Sequence, residues 1–317
     1  MELSSILLLP GLLFLAWIAR FIQLHFLHTS KLSRYLNTPG QTHEKDSWAL
    51  VTGASDGIGF GFVEELAAHG FNVILHGRNE NKLDGLIKRI KLHHPTRDFR
   101  KLVLDVSKRD LWQDVFNKFV ADLRQSQINL KILVNNVGGT GGSFSAFDKM
   151  ADRDPEAIKT AIDVNATFPA AVTHALLPVL ETQQPSLIIN IGSVVAIVPP
   201  PYLGLYAGSK AFNLAWSQSL WTEMLAEKKN IEIMGVVVGR VISAHAQGKR
   251  KDTLFEPSAR NFAKSALQKV GCGLPTITAH WSHDLQISAL NLAPAWVTRS
   301  ILIRETQKEM EFEKRGR

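Results

Sequence analysis

An apolar strand that runs into a glycine-rich turn and then a helix constrains this chain more than any other feature. Trp48–Val51 is a short apolar run, Thr52-Gly53-Ala54-Ser55-Asp56-Gly57-Ile58-Gly59 follows, and the spacing from Gly57 to His69 is helical, closing at Gly70. Such a junction aims backbone N–H groups and the positive end of a helix at one point, which suits a pyrophosphate. Gly53 would allow the tight turn, Gly57 would let a ligand approach the backbone, and Gly59 would permit close helix packing. The spacing is GxxxGxG rather than GxGxxG, and the glycines alone also fit an ordinary turn. The strand before them and the helix after them carry the reading.

The pattern then repeats as alternating strands and helices. Strands are expected at Asn72–His76, Arg100–Val106, Leu130–Asn135, Ser186–Ser193 and Ile231–Val238. Helices are expected at Glu80–Leu92, near Lys108–Arg124, from Pro155, near Asn165–Leu180 and at Leu205–Lys228. Strands alternating with helices imply βαβ units and a parallel sheet. The expected fold is therefore α/β, a Rossmann-type doubly wound parallel sheet with helices on both faces. A chain of 317 residues accommodates one large domain of this kind with extensions.

The N-terminus reads differently. Leu3–Ala19 is almost wholly apolar, Arg20 interrupts it, and Phe21, Ile22, Leu24, Phe26 and Leu27 continue. About twenty apolar residues span a bilayer. Glu2 is the only early charge, whereas Arg20, Lys31 and Arg34 follow the run, which favours an uncleaved anchor over a signal peptide. The expectation is a membrane-anchor helix at 1–30 with the main domain facing the cytosol; a monotopic helix or a hairpin bend at Pro10-Gly11 are the alternatives. Residues 31–46 read as a polar linker. The net charge of +7 comes without a nucleic-acid motif, so nucleic acid is not an expected partner. A single cysteine, Cys272, forms no disulfide within the chain and suits a reducing compartment.

The second strand ends Leu75-His76-Gly77-Arg78-Asn79. An acidic residue here would hold the ribose hydroxyl of NAD. Arg78 stands there instead and could take a 2′-phosphate, so NADP(H) is the expected cofactor, against the alternative of a solvated arginine. Asp105, ending the third strand, would sit beside the adenine or cap a helix. Tyr206-Ala207-Gly208-Ser209-Lys210 sets a phenol and an ammonium a helical turn apart. The ammonium would lower the tyrosine pKa and let the pair exchange a proton with a substrate oxygen. His280 and His283 lack a third ligand and no HExxH occurs, so no metal site is expected. Ser193 lacks the G-x-S-x-G elbow of a serine hydrolase.

Ser193 follows a strand, thirteen residues before Tyr206; Asn165 lies in Asp163-Val164-Asn165-Ala166-Thr167; and Asn135-Asn136-Val137-Gly138 ends the fourth strand. In this order with TGxxxGxG and YxxxK, the chain resembles the short-chain dehydrogenase/reductase family over about residues 47–245. The resemblance implies that Tyr206 is the proton donor in reduction, Lys210 holds the nicotinamide ribose, Ser193 hydrogen-bonds the carbonyl oxygen and Asn165 supports a water in a proton relay. Asn136 and Gly138 would line the cofactor beside Gly53, Ser55, Asp56, Gly57, Ile58 and Gly59. Where the family has PGxVxT, this chain has Val238-Gly239-Arg240-Val241-Ile242-Ser243. Val241 and Ser243 would then lie near the carboxamide, on a loop that has lost its proline.

The NNVG variant, the apolar N-terminus and the stretch Phe262–Leu267 leading to His280-Trp281-Ser282-His283-Asp284 are similar to the branch containing very-long-chain 3-oxoacyl-CoA reductases and related 17β-hydroxysteroid dehydrogenases. That implies the endoplasmic reticulum membrane and NADPH-dependent reduction of a 3-oxoacyl-CoA to the 3-hydroxyacyl-CoA. A steroid or other lipophilic ketone is the alternative, and a non-catalytic NADP-binding protein a third reading. The family domain with its substrate loop would occupy 47–285 and a C-terminal helical extension 286–317; a homodimer is left open. Lys249-Arg250-Lys251 would either be a solvated face or meet coenzyme A phosphates.

Overall fold

The computed structural model describes residues 3–36, 46–139, 147–242 and 252–315. Seven parallel strands form one sheet: β1 (Ser47–Val51), β2 (Asn72–Gly77), β3 (Phe99–Val103), β4 (Asn129–Asn135), β5 (Ser186–Ile191), β6 (Ile231–Val237) and β7 (Thr276–Thr278). Their order is β3-β2-β1-β4-β5-β6-β7. The order reverses between β1 and β4, and in open α/β sheets ligands bind beyond the carboxyl ends of the strands at that point.

Both faces of the sheet are covered, which is why the strands read as continuous apolar runs and not as alternating ones. Ala49 and Val51 of β1 face a cluster with Phe62 and Leu66 of α2 (Gly57–Ala68) and Phe262 of α8 (Ala259–Leu267). Trp48 and Leu50 face the opposite cluster, built from Trp112 and Phe116 of α4 (Trp112–Gln125), Leu176 of α6 (Phe168–Thr182) and Leu220 of α7 (Gly204–Ala226). Helix α3 (Glu80–His93) joins the first face, and α5 (Pro155–Ile162) leads into α6. The chain closes with α9 (Trp281–Leu292) and α10 (Ala295–Arg315).

Three local differences from the sequence reading have clear causes. The third strand stops at Val103, three residues earlier than expected, because Asp105 turns the chain by accepting the Ser107 N–H at 3.1 Å and its hydroxyl at 2.9 Å. Strand β7 was not expected; its three residues carry no apolar run, and only pairing with Gly235–Val237 of β6 makes them a strand. Asn165 does not begin a helix. It sits in a wide π-type turn, Asp163–Thr167, that joins α5 to α6, a distortion often found at functional positions.

The polar stretch expected to be a linker is packed where it is described. Leu32 and Tyr35 are buried in the first core cluster. Tyr35 donates its hydroxyl to Glu232 Oε2 at 2.6 Å, Arg34 donates to the same carboxylate, and Ser30 Oγ donates to the Leu267 carbonyl at 2.6 Å. Upstream, α1 (Leu3–Ile22) ends in a turn that brings His25 Nε2 to 2.9 Å from Asp284 Oδ2 on α9. Leu12, Leu13, Phe14 and Leu15 of α1 are exposed. Among the described residues, no helix is long and apolar enough to cross a membrane.

Candidate active site

A cleft of about 720 Å³ opens at the carboxyl ends of the strands. Gly53, Ser55, Asp56, Gly57, Ile58, Arg78, Asp105, Asn136, Gly138, Asn165, Ser193, Tyr206, Lys210 and Val241 all line it. Gly59 lies beneath the lining, and Ser243 falls outside the described residues, as does the basic run Lys249–Lys251.

The turn after β1 is held from below. Gly53 takes a positive φ of 63°, and a Cβ at Gly59 would stand 2.1 Å from the Gly53 carbonyl oxygen, so only glycine lets α2 start so close to the strand. A Cβ at Gly57, by contrast, meets nothing within 4 Å; the helix start faces open space in the cleft. Asp56 caps α2 by accepting the Gly57 N–H at 2.7 Å and pairs with Lys82 at 3.0 Å. Asn136 braces this turn: its Nδ2 donates to the carbonyls of Thr52 at 3.0 Å and Gly53 at 3.2 Å. Arg78 is exposed at the end of β2 and forms no ion pair among the described residues. Burial opposes ionisation of Asp105, but the Ser107 hydrogen bonds and the nearby Arg78 and Lys108 charges hold its carboxyl below the usual range.

Across the cleft, Ser193 sits at the end of β5 as the cap of the short turn Val194–Ala196 and lines the cleft together with Tyr206. One turn along α7, Lys210 is fully buried, donates to the Ile191 carbonyl at 2.8 Å and lies 5.8 Å from the Tyr206 ring centroid. Burial pulls its pKa down to about 8. The expectation that Lys210 lowers the tyrosine pKa needs correcting. Burial of the phenol raises Tyr206, and Ser193 only partly offsets this. At neutral pH Tyr206 is therefore a phenol, the state a proton donor needs.

The Asn165 amide is committed to protein partners. Oδ1 accepts the Gly139 N–H at 2.9 Å, and Nδ2 donates to the carbonyls of Gly139 at 3.1 Å and Ala161 at 2.9 Å. It thereby fixes the loop after β4 beside Lys210: a Cβ at Gly138 would stand 2.7 Å from Asn165 Oδ1 and 3.0 Å from Lys210 Nζ. Under it runs a buried polar chain that sequence reasoning missed. Asn135 Nδ2 donates to Asn190 Oδ1 at 2.8 Å, Asn190 Nδ2 to Ser217 Oγ at 2.9 Å, Ser217 Oγ to the Asn213 carbonyl at 2.6 Å, and Asn213 Nδ2 to the Asn165 carbonyl at 2.8 Å. Such a network fixes one arrangement of strand and helix.

Two histidines have structural roles: His76 was not singled out from the sequence, and His283 was weighed there only as a metal ligand that lacked partners. His76 is buried and accepts the Gly53 N–H on Nδ1 at 3.2 Å, holding the glycine turn. His283 on α9 accepts the Gly239 N–H on Nδ1 at 3.2 Å, so its Nε2 carries the hydrogen and donates to the Arg240 carbonyl at 3.0 Å. It braces the loop that has lost its proline. Burial lowers both pKa values to about 4, so both are neutral. Among the described residues no group of acidic, histidine or cysteine side chains could hold a metal.

Comparison with known proteins places this geometry. The family model for short chain dehydrogenase matches residues 47–254. The chain is 32% identical over 248 residues to a very-long-chain 3-oxoacyl-CoA reductase of Podospora anserina, covering 76% of this chain and 70% of that one. It is 33% identical over 256 residues to the Mus musculus protein of the same name, covering 81% and 78%. Among solved structures, a 7beta-hydroxysteroid dehydrogenase superposes with a TM-score of 0.67 at 21% identity, over 82% of this chain and 94% of that one. A short-chain dehydrogenase from Sphingobium yanoikuyae in complex with NADPH superposes with a TM-score of 0.59 at 23% identity, over 78% and 97%.

Proposed function

Because the chain belongs to the short-chain dehydrogenase family, we propose that it reduces the keto group of a 3-oxoacyl-CoA with NADPH. One observation carries this reading: Ser193, Tyr206 and the buried Lys210 line the same cleft as the glycine turn at the start of α2. The relatives' names supply the substrate class.

The residues fit a dinucleotide. The space beside Gly57 is open, and the first-turn N–H groups of a helix lack partners within the helix. These groups would take the pyrophosphate. Arg78 at the rim would take the 2′-phosphate. Lys210 and the backbone around Gly138 would face the nicotinamide ribose. When bound, NADPH supplies the hydride. Ser193 donates to the carbonyl oxygen of the substrate and holds the carbon in place. Tyr206, kept protonated by burial, donates its proton to that oxygen as the alkoxide develops. Lys210, cationic below a pKa of about 8, is held beside this group by the Ile191 carbonyl. Asn165 holds the loop against which these groups are set.

The exposed apolar residues of α1 support attachment to a membrane; the branch resemblance implies the endoplasmic reticulum, and the basic residues after the apolar run favour a cleft on the cytosolic side. The test is a substrate panel. Purified protein with NADPH should reduce 3-oxoacyl-CoA thioesters with a higher kcat/KM than steroid ketones, and NADH should replace NADPH poorly. A preference for steroid ketones, or equal use of NADH, would overturn the assignment.

A further inference from the structure

We infer that the gap between α1 and the sheet edge is the site for the acyl chain of the substrate. This rests on the 3-oxoacyl-CoA reading and adds where the tail goes. The gap measures about 260 Å³. Trp17, Phe21 and Leu24 form one wall, and β7 with Val237 and Leu274 forms the other. Ile197 lies at its boundary and is 41% exposed.

Ser193 caps the short turn Val194–Ala196, and Ile197 closes it. Ile197, four residues after Ser193, is thus where the gap begins. Val194 and Ala196 of this turn pack on Leu214, Val237 and Ile287, so the segment between cleft and gap rests on apolar side chains, and Val237 also lines the gap. A chain leaving the carbonyl carbon at Ser193 would cross this segment and enter between helix and strand. A chain of only a few carbons would stop short of it.

The wall on the α1 side is fixed in place. The His25–Asp284 contact ties the end of the helix to α9, and Lys269 Nζ donates to the His25 carbonyl at 3.4 Å. Trp17 and Phe21 lie tilted against each other along the helix with centroids 5.6 Å apart. Arg20 and Asp284 are the charged members, and Asp284 is engaged by His25. A gap held open between apolar walls forfeits dispersion contacts that an alkyl chain would restore.

The experiment compares acetoacetyl-CoA with 3-oxohexadecanoyl-CoA as substrates of the full chain, using NADPH. Ile197→Trp blocks the entrance from the sheet side, and Phe21→Asp places a charge in the opposite wall. Each methylene kept from burial costs about fourfold in affinity. The ratio of kcat/KM for the long thioester to that for the short one should therefore fall at least about tenfold in each variant, carried by KM. Thermal unfolding midpoints report whether the variants fold. A ratio within about twofold of the unaltered enzyme's in both variants overturns the groove while leaving the functional reading standing. An unaltered enzyme that reduces neither thioester removes the functional reading, and the groove falls with it.

Discussion

Tyr206, Lys210, Ser193 and the glycine turn were legible because each is a local signal: a spacing along one helix, a residue at a strand end, a turn between two elements. His76 and His283 were not. Each acts on a backbone N–H far along the chain, 23 residues away for His76 and 44 for His283, and nothing in the local sequence marks such a contact. Arg78 offers the sharpest residue-level test of cofactor choice. A charge-assisted hydrogen bond contributes about 1.5–3 kcal/mol. Arg78→Asp should accordingly lower kcat/KM for NADPH by about 10- to 100-fold while sparing NADH, read from initial rates with each cofactor. Equal losses with both would remove Arg78 from phosphate recognition. Gly138→Ala is a second test. Its Cβ would press on Asn165 and Lys210 at a φ of 153°, so turnover should fall and the unfolding midpoint should drop with it.

Elements were legible wherever an apolar run or a helical period was long enough, and illegible where tertiary pairing alone creates them. Strand β7 is the clearest case; Asp105 ending β3 early is another. The contact of α2 with α8 also escaped notice. A Cβ at Gly61 would stand 2.6 Å from the Ala259 carbonyl oxygen, and Glu65 of α2 meets Arg260 Nε of α8 at 2.6 Å. Gly61→Val should therefore destabilise the protein by about 1–3 kcal/mol, the usual cost of overpacking, measured by denaturant unfolding; an unchanged midpoint would show that α8 is not seated on α2. The two buried histidines pin the turn after β1 and the loop after β6. Their folded pKa values of about 4 lie below the ordinary 6.5, so the unfolded chain binds more protons in that window. Stability should be full above pH 6.5 and fall as pH drops toward 4, and His283→Asn should flatten part of that fall in a series of unfolding midpoints.

For the molecule as a whole, the sequence located the doubly wound sheet but misplaced the edge of the folded unit. Residues 23–36 read as anchor and linker, yet Leu24, Leu32 and Tyr35 are buried against the domain. Leu24 was read into the apolar run, and Leu32 and Tyr35 were too few among polar neighbours to register as an element. Removing residues 1–22 should release the protein from membranes and leave the fold intact. Removing residues 1–36 should cost about 3 kcal/mol or more, as loss of large core side chains does, seen as a lowered unfolding midpoint. Equal midpoints for the two truncations would mean that the Tyr35 segment adds nothing to the fold.

The central claim is that Tyr206 is the proton donor of an NADPH-dependent ketone reduction. The most direct measurement is the rate of NADPH oxidation with 3-oxohexadecanoyl-CoA for the unaltered enzyme and Tyr206→Phe side by side, with NADPH affinity measured on both by fluorescence. The variant should keep its NADPH affinity and lose about 10²- to 10⁴-fold in kcat, the usual contribution of general acid catalysis. A variant that turns over at the unaltered rate would contradict the claim.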